Sequence, residues 1–159
     1  MSGSELFAAL VFLAVATSAA LPGIVFRPGD WYRSLRKPSW CPPGWLFGPV
    51  WLVLYLSIAA SVWNVWREGN AQGPLALTVF GVQLVFDALW STIFFGLRRP
   101  GAACLEIVCL WLSIAATIIA FQSISEMAAI LFAPYLLWVS FVAALNLRIW
   151  QINRVARRG

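Results

Sequence analysis

No histidine occurs anywhere in the 159 residues, which removes the commonest metal ligand and the usual general base together. Charge is scarce as well. Only 11% of residues are Asp, Glu, Lys or Arg, against about a quarter in an ordinary soluble domain. So little charge cannot clothe a core made from a chain that is 62% hydrophobic, and a water-soluble globule is excluded. Disorder and nucleic-acid binding fall with it. Cysteine is sparse: Cys41, Cys104 and Cys109 form no CxxC pair and show no metal-ligand spacing. Cys104 and Cys109 would stand about 140° apart around a helix, so they share no face. They read as small apolar packing residues, and neither a disulfide framework nor a metal centre is expected. The Cys41-Pro42 dipeptide is shared with haem-responsive proteins, but two residues carry little weight.

What the sequence has instead is long apolar runs. A hydrocarbon core about 30 Å thick takes roughly 20 helical residues to cross. Segments 6–26, 45–66, 75–97, 102–121 and 128–150 qualify, and each break between them carries turn chemistry such as Arg-Pro-Gly-Asp or Arg-Arg-Pro-Gly. Backbone groups in lipid must bond within their own segment, so the expected fold is an all-α membrane protein, a five-transmembrane-helix bundle in one domain. The first segment is expected to be a retained span rather than a cleaved signal peptide. Its start, Met-Ser-Gly-Ser-Glu, lacks a positive n-region.

Five crossings sort the cations sharply. Arg27, Arg33, Arg36, Lys37, Arg98, Arg99, Arg148, Arg154, Arg157 and Arg158 fall on one side, and only Arg67 on the other. The first and third loops and the C-terminus are therefore expected to face the cytoplasm. The net charge of +5 reads as a topology signal.

Ten tryptophans are present. Trp63, Trp66 and Trp150 sit at helix ends, where interfacial belts account for them. Trp51, Trp90, Trp111 and Trp138 lie deeper, where an indole N–H must face lipid or find a partner inside the bundle. Tight helix packing is one reading of the four, and an aromatic-lined cavity is the other. Asp87 lies near the midplane of its segment, with Gln83 and Ser91 four residues either side and Trp90 three beyond. That spacing sets a polar stripe with an indole on one helix face. It is either a clamp between helices or a ligand or proton site. Glu106, closer to its helix end, is within reach of the interface or of Arg98 and Arg99.

Small residues at Ala16, Ala19, Ala20 and Gly23 permit close approach of another helix, within the protomer or across a dimer. Pro49 and Pro134 lie inside the second and fifth segments, where each removes a hydrogen bond and makes room for a kink. The loop 27–44 is too rich in aromatics and proline for an idle linker. Pro38, Pro42 and Pro43 restrict it, so Trp31, Tyr32 and Trp40 are held at low entropic cost. It is expected to fold over the bundle mouth as a lid. Arg33, Arg36 and Lys37 would then meet ligand carboxylates or lipid phosphates.

The pattern W-Y-x-x-L-x-K-P-x-W-x-P-P in this loop, with Trp51 after it, resembles the translocator protein family, also called tryptophan-rich sensory proteins or peripheral-type benzodiazepine receptors. Gln83 to Gly96 (QLVFDALWSTIFFG), Pro134-Tyr135-Leu136-Leu137-Trp138 and Leu145-Asn146 extend the likeness over nearly the whole chain. The resemblance implies a five-helix homodimer whose pocket the first loop closes. It also implies binding of protoporphyrin IX and related tetrapyrroles, and of isoquinoline carboxamide or benzodiazepine compounds. The porphyrin would be a ligand, with no cofactor or metal required. On matched positions the pocket would take in Tyr32, Trp40, Pro42, Phe47, Trp51, Tyr55, Asp87, Trp90, Cys109, Trp138, Val142 and Leu145. Trp51 and Trp138 match the tryptophans that the family assigns to porphyrin chemistry.

Two positions depart from the family. Asp87 stands where relatives often carry asparagine, and Leu147 occupies the aromatic place of the sterol motif, which weakens sterol recognition. Together with the absence of targeting features, this favours a bacterial membrane over a mitochondrial one. The leading expectation is a tetrapyrrole-binding sensor or carrier. Light- and oxygen-dependent porphyrin breakdown and proton-coupled export through Asp87 compete with it.

Overall fold

The computed structural model describes residues 3–26 and 29–156. The expected positions Arg27, Arg157 and Arg158 lie outside them. All regular structure among the described residues is helical: α1 Gly3–Ser18, α2 Leu21–Val25, α3 Asp30–Ser34, α4 Gly44–Arg67, α5 Gly73–Ser91, α6 Pro100–Gln122 and α7 Glu126–Ala156. A π-helical turn, Thr92–Gly96, prolongs α5.

Among the described residues, four helical stretches are long and apolar enough to cross a bilayer: α4, α5 with its π turn, α6 and α7. Within each, only 22–39% of the most apolar window is buried inside the protein. Leu52, Val53 and Leu56 on α4, Val82 and Val85 on α5, Leu105 and Leu112 on α6, and Leu137 on α7 all point outward. An apolar surface of that extent suits acyl chains and not water. The chain is a multi-pass membrane protein.

The first expected span, 6–26, departs from a single helix. It breaks at Ala19 and Ala20, between α1 and α2. Pro22 is the reason, since its ring excludes the carbonyl four residues back, that of Ser18, and it has no N–H to give. Thr17 Oγ1 donates to the Leu13 carbonyl at 2.8 Å and Ser18 Oγ to the Val15 carbonyl at 2.6 Å. Sixteen residues make α1 about 24 Å long, short of the hydrocarbon thickness. The small residues of this region serve contacts within the protomer: Ala16 is fully buried where α1 packs on α4, and Gly23 brings α2 against Ser91 of α5.

Around the bundle the order of neighbours is α1, α4, α7, α6, α5 and α2. Hydroxyls fasten α4 to α7: Ser57 Oγ donates to the Leu131 carbonyl and Ser61 Oγ to the Ala128 carbonyl, both at 2.6 Å. These carbonyls lie on the two turns before Pro134 and accept the hydroxyls in addition to their place in the helix. Trp111 clamps α6 to α7 by donating its indole N–H to Ser140 Oγ at 2.8 Å. One end of the bundle is packed solid. There Phe132 meets Phe121 at 5.5 Å, Tyr135 at 5.7 Å and Phe80 at 6.2 Å. At the other end α4 and α5 scarcely touch, and the space between them is open.

Candidate functional site

A cavity of about 520 Å³ fills that space, within the range of roughly 300–1,000 Å³ usual for small-molecule pockets. Four sides are helical. Ala20, Gly23 and Ile24 come from the segment around α2, Phe47, Gly48, Trp51 and Tyr55 from α4, Asp87, Trp90 and Ser91 from α5, and Val142, Leu145, Asn146 and Ile149 from α7. Tyr32 and Arg33 of α3 close the loop end. The spacing of three and four residues along α4, α5 and α7 is what turns each set to one face.

The π turn extends the α5 wall. Leu97 N–H donates to the Thr92 carbonyl, five residues back, at 2.9 Å, and the widened turn lets the adjacent Phe94 and Phe95 both line the cavity. Phe94 stacks on Trp90 with centroids 5.4 Å apart and 22° between planes. Across the cavity Trp51 stacks on Tyr55 at 5.4 Å and 26°. Two broad aromatic faces thus flank the same space.

Polar groups are few and deep. Asp87 is 3% exposed and Asn146 2%. Asp87 Oδ2, Trp90 Nε1 and both polar atoms of the Asn146 side chain are buried without a hydrogen-bond partner. Leaving such a group unpaired costs about 1–3 kcal/mol; the four atoms themselves lie beneath the cavity surface, on three residues that line it. Behind them, Gln83 Nε2 donates to the Tyr135 hydroxyl at 2.9 Å, and that hydroxyl lies beside the Asp87 carboxyl. Tyr135 thereby fixes the carboxyl from outside the cavity. Glu106 finds no partner in Arg98 or Arg99; both its carboxyl oxygens are buried and unpaired.

The first loop closes over this end, as its prolines and aromatics suggest. Tyr32 sets its ring edge-on to Phe95 at 5.5 Å, Trp31 meets Phe94 at 5.9 Å, and Trp40 meets Phe141 of α7 at 5.8 Å. Asn153 of α7 latches it, accepting from the Arg36 N–H at 3.1 Å and donating to the Arg36 carbonyl at 2.9 Å. Lys37 Nζ donates to the Tyr32 carbonyl at 2.6 Å and sits 4.4 Å over the Tyr32 ring. Burial, with Cys41 alongside, pushes the Tyr32 phenol up to about 12, so it stays an O–H at physiological pH.

Of the expected pocket residues, Tyr32, Phe47, Trp51, Tyr55, Asp87, Trp90, Val142 and Leu145 line one cavity, and Arg33 joins them. Four do not. Cys109 is exposed on α6, which packs behind α5 and α7 and contributes nothing to the wall. Trp138 stands behind Phe47, ring to ring at 5.7 Å, with its N–H buried and unpaired. Trp40 is half exposed against Phe141, and Pro42 lies in the loop beyond the wall. Among the three loop cations only Arg33 faces the cavity. Lys37 is spent on loop carbonyls, and Arg36 serves the latch through its backbone. Asn146, Phe94 and Phe95 were not among the expected pocket residues. Asn146 carried the same signal as Asp87, a polar side chain deep in an apolar run.

The latch makes a first prediction. Asn153→Leu removes both bonds to Arg36, worth about 1–3 kcal/mol together, so dissociation of a cavity ligand should accelerate about 5- to 150-fold. Stopped-flow displacement measures it, and an unchanged off-rate would mean that the loop does not gate the cavity.

Comparison with known proteins converges on one group. Residues 7–151 match the TspO/MBR family. Protein CrtK of Rhodobacter capsulatus is 42% identical over 147 residues, covering 91% of both chains. The tryptophan-rich sensory protein of Cereibacter sphaeroides is 37% identical over 145 residues, 91% of this chain and 90% of its own. The human translocator protein is 38% identical over 132 residues, 81% of this chain and 78% of its own.

Proposed function

The chain belongs to the TspO/MBR family, and from that membership together with the cavity we propose that it is a membrane-embedded binding protein for protoporphyrin IX or a related tetrapyrrole. It acts as a sensor or carrier in porphyrin handling or stress response. The observation that carries this reading is the pairing of two aromatic faces, Trp51 on Tyr55 and Trp90 on Phe94, around one apolar cavity that Asp87 and Asn146 also line. A flat macrocycle supplies apolar area to both faces. Its propionates reach Arg33 at the loop end, whose ion pair with Asp30 at 3.7 Å is solvent-exposed and readily exchanged. Isoquinoline carboxamide and benzodiazepine compounds fit the same chemistry of aromatic faces and a few polar points.

In this reading α1 and α2 together make a fifth, broken crossing, and the loop end, which carries Arg33, Arg36, Lys37, Arg98, Arg99, Arg148 and Arg154, faces the cytoplasm from a bacterial membrane. Two copies assemble as a homodimer, and the outward apolar faces meet lipid. Sterol is a weak ligand at most, because Leu147 points outward where an aromatic is wanted.

Titration of protoporphyrin IX into the detergent-solubilised protein, read by tryptophan quenching, is the test. Trp51→Leu removes one face of the stack, and truncation of a central aromatic costs about 2 kcal/mol or more, a loss of about thirtyfold in affinity. Equal affinity in the variant would place the ligand elsewhere.

A further inference from the structure

A second cleft, of about 460 Å³, opens at the loop end of the bundle and shares no lining residue with the aromatic cavity. Arg98, Arg99 and Arg154 line it, with Trp150, Asn153 and the first turn of α6. Its electrostatics are one-sided. Among the described residues no acidic side chain pairs with any of the three arginines, and α6 begins with no acidic residue in its first turn and no side-chain cap. The positive end of a helix dipole is thus met by three more positive charges, an arrangement that repels itself unless an anion enters.

The backbone is built to hold that arrangement. Arg98 has φ +56°, the left-handed conformation, without being glycine. Such a conformation is unfavourable for a residue with a side chain and persists where its surroundings impose it. Here it turns the chain from the π turn into α6 and sets Arg98 and Arg99 at the cleft. Gly101 is equally constrained: a Cβ there would come within 2.6 Å of Trp150 Nε1. Only glycine lets the indole lie against the first turn of α6 as the cleft wall. Arg154 lies over that indole, 5.1 Å from its ring centroid, and itself lines the opening.

The cleft lies where helices leave the apolar slab, the level of lipid headgroups. Guanidinium groups bind phosphate oxygens in a two-pronged fashion, and free helix N–H groups add donors aimed the same way. Basic clefts at this level suit anionic headgroups. We propose that this cleft binds the phosphate-ester headgroup of an anionic phospholipid, with Arg98, Arg99 and Arg154 on the phosphate and the indole of Trp150 against the glycerol. Through Asn153, which both lines the cleft and latches the loop at Arg36, an occupied cleft steadies the lid of the neighbouring cavity.

The full chain in nanodiscs of mixed phosphatidylglycerol and phosphatidylcholine, released into native mass spectrometry, tests the assignment. Wild-type protein should retain phosphatidylglycerol in preference to phosphatidylcholine. The Arg98→Gln, Arg99→Gln variant should retain at least tenfold less. Ala102→Glu is the second variant. It puts a carboxylate in the first turn of α6, which favours the helix and occupies the anion site, so helix content by circular dichroism holds while phosphatidylglycerol is lost. Retention that is equal in wild type and both variants would overturn the proposal. Saturable binding of inorganic phosphate by the wild type, with no preference for phosphatidylglycerol, would overturn the lipid assignment in favour of a free phosphate.

Discussion

Gly48→Trp should abolish tetrapyrrole binding, lowering affinity for protoporphyrin IX at least a hundredfold, while leaving the fold intact. Gly48 sits on α4 at the cavity wall, and a Cβ added there meets nothing within 4 Å. The indole therefore grows into the 520 Å³ space and takes the volume a macrocycle needs. Replacing a helical glycine also removes a cost of up to about 1 kcal/mol, so thermal melting should hold steady or rise. Gly81→Trp is the matched control. It too has open space around its Cβ, but it is exposed on α5 away from the cavity, and it should bind as wild type. Fluorescence titration of the three proteins decides the matter. Full affinity in Gly48→Trp, with melting unchanged, would remove the cavity as the binding site.

Phe132→Ala should produce the largest loss of stability, about 2–4 kcal/mol. Phe132 is fully buried and touches Phe80, Phe121 and Tyr135, so its ring is shared by α5, α6 and α7. Lipid is as apolar as the ring, and little of this cost comes from transfer out of water. It comes from the dispersion attraction that the ring supplies to its neighbours and from the hole its removal leaves. Unfolding in mixed micelles with rising sodium dodecyl sulfate measures it. Protein that still folds should bind protoporphyrin IX with at most a small loss, because Phe80, Phe121 and Phe132 line no part of the cavity and reach it only through Tyr135, which backs Asp87. A midpoint unmoved from wild type would mean that the bundle end repacks without loss.

Much of the site is legible in the residues themselves. Asp87 with Gln83, Trp90 and Ser91 at helical spacing declares one polar face, and three of the four residues face the cavity while Gln83 supports it from behind. The prolines and aromatics of the first loop suggest a stiff flap, and in the fold Tyr32 packs on Phe95 while Arg36 bonds to Asn153. Other residues mislead for a common reason. Trp138 and Cys109 look like Trp51 and Asp87 in composition and depth, yet helix rotation puts one behind Phe47 and the other on the lipid side of α6. Lys37 has a free charge in the sequence and a committed one in the fold.

The sequence by itself determined that the chain lives in a membrane, that it is helical, and roughly where four of the crossings run. Those properties follow from local composition, because a backbone in hydrocarbon has almost no alternative to the helix. Tertiary structure alone decided which helices stand apart. The separation of α4 from α5, the break Pro22 makes after Ser18, and the π turn that brings Phe94 and Phe95 to one wall depend on how neighbours pack around each other. Packing against apolar lipid gives no periodic signal to distinguish an inner face from an outer one. A cavity between helices is therefore written in the relations among them and not in any one of them.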